Sequence, residues 1–149
     1  MRKLKILVVD DEKVISDTVT LILQSRNYEV IAASNGAEGV AKAKSEHPDL
    51  ILLDIKMPVM NGHDACVILK EDKSTKKIPV LMFTGQGDRD AVMKARITGA
   101  DDYVIKPFTM ETLLTKISQQ FDQSQKMPKY RKLSLWQRLF GKFTGKNNS

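Results

Sequence analysis

Cysteine is almost missing from this chain: Cys66 stands alone among 149 residues. No intrachain disulfide can form, and a reducing, cytoplasmic home is expected. Long apolar runs are missing too. None approaches the ~20 residues that a membrane-spanning helix needs. The start, Met1-Arg2-Lys3, is basic, but the apolar run behind it stops at Asp10, too short and too soon acidic for a secretory leader. Acid is missing after Asp122. Residues 123–149 hold seven Lys and Arg and no Asp or Glu, whereas residues 1–122 carry a net charge of −1. The overall +6 therefore belongs to the tail, and the body is no obvious nucleic-acid binder. The two histidines, His47 and His63, lie apart and read as helix-end or surface residues, while Cys66 and the methionines read as packing.

What is present is an ordinary globular composition, 42% apolar and 28% charged, long enough for one domain with a core plus an appendage. Short Val/Ile/Leu runs alternate with stretches of helical periodicity. Strands are predicted at Leu4–Val9, Glu29–Ala33, Leu50–Leu53, Ile78–Phe83 and Asp102–Ile105. Between and after them, helices are predicted over about 14–25, 37–45, 63–70, 88–98 and 110–121, the last capped by Thr109. The runs are continuous rather than alternating, as parallel strands covered on both faces require. Five βα units imply a flavodoxin-like, doubly wound α/β fold with a five-stranded parallel sheet and helices on both faces. The expected division is one domain over 1–122, a basic linker over 123–132 and an amphipathic basic tail over 133–149.

The ends of those strands carry the chemistry. Asp10-Asp11, Asp54, Thr84 and Lys106 each follow an apolar run. In an open α/β sheet the carboxyl ends of the strands line one crevice. Three carboxylates, a hydroxyl and an ammonium therefore share a pocket. Close carboxylates repel unless a cation lies between them, and a hard divalent ion such as Mg²⁺ suits an all-oxygen site. Such a pocket fits phosphoryl chemistry on a carboxylate.

The segments ILVVDDE (6–12), LLDIKMPVMNG (52–62), VLMFTG (80–85) and YVIKPF (103–108) resemble the receiver domain of two-component response regulators, of the single-domain, chemotaxis-regulator-like kind. The resemblance runs from about Lys3 to Phe121. It implies that Asp54 accepts a phosphoryl group from a histidine kinase or a histidine phosphotransfer protein. It implies Mg²⁺ bound directly by Asp11 and Asp54 and by the backbone carbonyl of Lys56, with Asp10 acting mostly through a metal-bound water. Lys106 would pair with Asp54 and then with the phosphoryl oxygens, across a Lys106-Pro107 bond that is usually cis in the family. Thr84 would donate its hydroxyl to the phosphoryl group, and Tyr103 would be the aromatic that turns inward with it. Lys56 and Gln86, two residues after Asp54 and Thr84, would tune the lifetime of the phosphoryl group. The 88–121 face would contact a downstream protein. Such a protein is a phosphoacceptor rather than a turnover enzyme. The rival reading is a receiver-like scaffold that is never phosphorylated.

The tail is too short to house a winged-helix or other DNA-binding domain, so a stand-alone receiver is expected. At 100° per residue Leu133, Leu135, Trp136, Leu139, Phe140 and Phe143 fall within one arc of about 160°. A basic helix of this kind can lie on an anionic membrane surface, giving a peripheral contact. It can also dock in a protein groove, on a partner or on the receiver itself. A tail without function is the third reading.

Overall fold

The structure, a computed structural model, describes residues 2–85 and 89–126. Its elements in chain order are β1 (Lys5–Val9), α1 (Lys13–Ser25), β2 (Glu29–Ala33), α2 (Gly36–Glu46), β3 (Leu50–Asp54), α3 (Gly62–Glu71), β4 (Val80–Gly85), α4 (Arg89–Ile97), β5 (Asp102–Lys106) and α5 (Met110–Lys126). The strands form one parallel sheet in the order β2-β1-β3-β4-β5. The flavodoxin-like expectation holds, and boundaries move by a residue or two at most ends. The exception is α5, which continues through Lys126, into the segment expected as a linker. Residues 127–149, with the predicted tail helix and its six apolar residues, lie outside the described residues, as does Gln86.

Alternation along the strands explains the continuous apolar runs. Leu7, Val9, Ile51, Leu53, Val80 and Met82 face one way and pack against Val40 and Ala43 of α2 and Ala65, Cys66 and Leu69 of α3. Ile6, Val8, Leu50, Leu52, Leu81 and Phe83 face the other way and meet Val19 and Leu23 of α1 and Leu113 and Ile117 of α5. Both faces of each central strand are thus buried, and no polar alternation survives. Cys66 is packing as expected. Burial pushes its thiol up to about 11, which keeps it protonated and inert.

Local signals set the helix ends. Asn35 Oδ1 accepts from the Glu38 amide at 2.9 Å, and Glu38 reaches back to the Ser34 amide at 2.7 Å, a reciprocal cap on α2. Asn61 caps α3 through the Asp64 amide, and Thr109 caps α5 through the Thr112 amide. Gly99, at φ 96°, takes the left-handed turn that closes α4.

The β3–α3 loop is the tightest part of the fold. The Gly62 amide donates to the Ile55 carbonyl at 2.8 Å, and the Gly36 amide donates to Met60 at 3.0 Å. A Cβ on Gly62 would lie 2.1 Å from the Asp54 carbonyl oxygen, so only glycine lets the chain return this closely behind Asp54. This close return also carries the first turn of α3 inward. His63 is buried there at 6% exposure, which corrects the surface reading; His47 is exposed at the end of α2 as expected. Val59, β-branched and 84% exposed, sits at φ 68° in the same loop, a conformation that costs a non-glycine residue about 1–3 kcal/mol. Gly62→Ala should lower stability by about 1–3 kcal/mol or displace the loop. Val59→Gly should raise it by up to about 1 kcal/mol despite its gain in chain entropy. Urea unfolding of the two variants checks both signs.

Candidate functional site

Strand order reverses about β1, which has β2 on one side and β3 on the other, and the crevice opens where the ends of β1 and β3 meet. Asp54 closes β3 and Asp10 directly follows β1. Asp10 is 2% exposed and Asp54 6%, beside the last residue of β5, Lys106. The Lys106 ammonium donates to Asp54 Oδ1 at 3.1 Å and to Asp10 Oδ2 at 3.5 Å, and lies 3.9 Å from Glu12 Oε1. It also stands 5.6 Å from the centre of the Phe83 ring. Backbone amides hold the acids in place. The Ile55 amide donates to Asp54 Oδ1 and the Glu12 amide to Asp10 Oδ1, each at 2.9 Å. The Lys106-Pro107 peptide bond is cis.

The electrostatics of this group are unequal. Burial, then the charge of Asp10, pushes the Asp54 carboxyl up to about 6, although Lys106 and the Ile55 amide pull the other way. Burial also disfavours the Lys106 ammonium, yet the attraction of Asp54 and then Asp10 outweighs it and leaves the lysine above its ordinary value. The two directions are consistent. Lys106 gains from two carboxylates, whereas Asp54 has one ammonium and one repelling neighbour.

Carboxylate oxygens of Asp10, Glu12 and Asp54 lie within 4.8 Å of one another. Three such oxygens with no nitrogen or sulfur donor fit a hard divalent cation. Asp11, expected as a direct ligand, is exposed and its carboxylate is not one of these three, whereas Glu12 contributes one. The Asp10 carboxylate accepts from the Glu12 amide across the turn after β1. Glu12 was missed because an acid at the start of a helix reads first as a helix-end charge. Lys56 is exposed, consistent with a position whose side chain is free to vary. Thr84 is 2% exposed at the pocket's edge, with its hydroxyl donating to the Gly85 carbonyl at 3.1 Å. Tyr103 is half-buried, its ring 5.3 Å from the Lys116 ammonium, which also pairs with Asp102 at 3.0 Å.

A five-stranded parallel α/β sheet with an acidic pocket and a facing lysine at its carboxyl edge defines the class of chemotaxis-regulator-like signalling domains. The profile of the response regulator receiver domain matches residues 6–118. The chain belongs to that family. It is similar to the DNA-binding dual master transcriptional regulator RpaA of Synechocystis, 37% identical over 130 residues, covering 87% of this chain and 54% of RpaA. It is also similar to protein PilG of Pseudomonas aeruginosa, 37% identical over 114 residues, covering 76% of this chain and 84% of PilG. A CheY-like receiver from Methanospirillum hungatei superposes with a TM-score of 0.79 at 32% identity, over 85% of this chain and all of that one. The chain thus spans about half the length of RpaA and most of PilG. Receiver domains of this family are phosphoacceptors of two-component signalling, not turnover enzymes, and generally bind Mg²⁺ at an acidic pocket. Among the described residues no helix is long and apolar enough to cross a membrane.

The pocket makes a titration prediction. Without divalent metal, the Asp54 carboxyl should titrate near 6, about two units above an ordinary aspartate. The folded state then holds more protons than the unfolded state between about pH 4 and 6, so this group's contribution to stability falls as pH rises through that window. Asp10→Asn removes a like charge and should lower the Asp54 midpoint; Lys106→Met should raise it. Carboxyl-carbon NMR titration of metal-free protein reads all three, and the two substitutions should move the midpoint in opposite directions.

Proposed function

We propose that Asp54 is the phosphoacceptor of this receiver, charged by a histidine kinase or histidine phosphotransfer protein in the presence of Mg²⁺. The observation that supports the reading best is the Asp54–Lys106 contact at 3.1 Å inside a buried acidic group. An Asp54 oxygen forms the new O–P bond as the P–N bond to the donor imidazole breaks, and the electron pair returns to the ring. Asp54 must be ionised to attack. Lys106 favours that state, and the carboxylates of Asp10 and Glu12 keep the site attractive to a cation. Asp54, Asp10 and Glu12 would hold the ion together with the Lys56 carbonyl, and Asp11 would join them through a change of rotamer. When bound, the ion neutralises charge on the phosphoryl oxygens. Lys106 stays beside Asp54 and moves its hydrogen bond to a phosphoryl oxygen.

The switch follows from competition for one hydroxyl. The Thr84 hydroxyl is bonded to the Gly85 carbonyl, a weak neutral partner. A phosphoryl oxygen is an ionised acceptor and about twice as strong. Thr84 therefore turns toward it, and Tyr103 follows into the space released, changing the face of α4, β5 and α5. Reversing a 1:99 population takes about 5.5 kcal/mol, which several charge-assisted bonds can approach. Lys56 and Gln86 would control water access to the acyl phosphate. A downstream protein reads the changed face, with the tail as tether or docking element.

Incubated with Mg²⁺ and a small acyl phosphate, the protein should gain one phosphoryl group by mass, and Asp54→Ala should gain none. Labelling of Asp54→Ala at the native rate would remove the proposal. Thr84→Ala should still be labelled, about 10- to 100-fold more slowly, from the ~1.5–3 kcal/mol of one charge-assisted bond. Beryllofluoride should bind only with Mg²⁺; its failure to do so would favour the scaffold reading.

A further inference from the structure

The outer side of α5 borders an open cleft of about 470 Å³ whose walls include Met110, Glu111, Leu114, Ser118 and Asp122, with Arg26 from the end of α1. Met110 is 47% exposed at one end of it. The cleft runs along the same helix that carries the chain onward at Lys126. We propose that its occupant is this chain's own segment 133–143, folded back antiparallel to α5. The inference rests on the reading of the tail as a docking element and names the surface it uses.

Three observations favour that occupant. The first is reach. Residues 127–132 can span up to ~20 Å when extended, and adjacent helices need only ~8–10 Å between axes. The second is register. Glu111 and Asp122 are separated by eleven helical steps, ~16 Å, and Lys132 and Lys142 of the tail by ten steps, ~15 Å. By rise along the axis, an antiparallel return brings Lys132 level with Asp122 and Lys142 level with Glu111. Between those ends Trp136 would lie over Ser118, Leu139 over Thr115 and Phe140 over Leu114. The third is charge. Beyond Lys126 the chain is basic with no acid, and the cleft offers two acids against Arg26. Of the other exposed apolar residues among those described, Ile97 (79%) on α4 has the basic Lys94 and Arg96 beside it, which disfavours the tail there. A docked tail would therefore cover its own apolar stripe while leaving the α4–β5 face open.

Trp136 is the sole tryptophan and reports the contact directly. In the 149-residue chain, with no lipid or partner, its emission should be blue-shifted and its quenching by acrylamide several-fold weaker than in the urea-unfolded chain. Neither value should depend on protein concentration. Glu111→Lys with Asp122→Lys should return the emission toward that of solvated indole, and adding Lys132→Glu with Lys142→Glu should restore the shift. Circular dichroism confirms that each variant is folded. Solvated emission in the native chain overturns the proposal, and so does emission unchanged by the double charge reversal. A shift that grows with concentration overturns it in favour of a second copy. If Trp136 is solvated in buffer but shifts on anionic phosphatidylglycerol vesicles, the dock on the receiver fails while the tail remains a docking element. If it shifts nowhere, both fail. The phosphoacceptor reading is judged separately, by labelling of the native protein against Asp54→Ala.

Discussion

One ammonium against three carboxylates is the constraint on which the site depends. Lys106 reaches Asp54, Asp10 and Glu12 from the end of β5, and the acids come from the ends of β3 and β1. One positive charge cannot satisfy three negative ones in a partly buried space. Burial first, and then the charge of Asp10, leaves the Asp54 carboxyl raised despite Lys106, and the excess of carboxylates attracts a small cation. The pocket is incomplete by charge, which is the condition the proposed phosphoryl chemistry needs.

Holding such a group together costs stability, and the fold offsets it beneath the pocket. Central strands buried on both faces put the acids on a rigid edge, so mutual repulsion cannot spread them. Close backbone returns do the rest. Gly62 packs directly behind Asp54, and Gly36 ties the β3–α3 loop to the start of α2. Val59 at positive φ shows that this loop is held by its surroundings rather than by its own preference.

The opposite end of the molecule obeys a different logic. Residues 123–149 hold seven Lys and Arg and no acid. In the docking proposed above, Lys94 and Arg96 on α4 would disfavour one face of the body and Glu111 and Asp122 on α5 would favour another. Helix α5 would then link the two ends, since it begins four residues after Lys106 and is described through Lys126.

Much of this was legible before any coordinates. Apolar runs ending in Asp10, Asp54, Thr84 and Lys106 placed the strands and the pocket, because parallel strands of one sheet finish on the same edge whatever their exact bounds. Asn61-Gly62 and Thr109 marked helix starts, since caps act within a few residues. Side-chain direction was less legible. His63 read as a helix-end or surface residue; it does lie in the first turn of α3, but it is buried there behind Asp54. Asp11 and Glu12 are adjacent acids that sequence cannot rank, and in the fold Asp11 is exposed while a Glu12 oxygen lies near those of Asp10 and Asp54. Order along the chain is enough to choose the fold and the set of reacting groups, because periodicity and strand ends are local. Which oxygen faces which charge, and how far each pKa moves, depends on separations of a few ångströms between residues far apart in sequence, and only tertiary packing sets those.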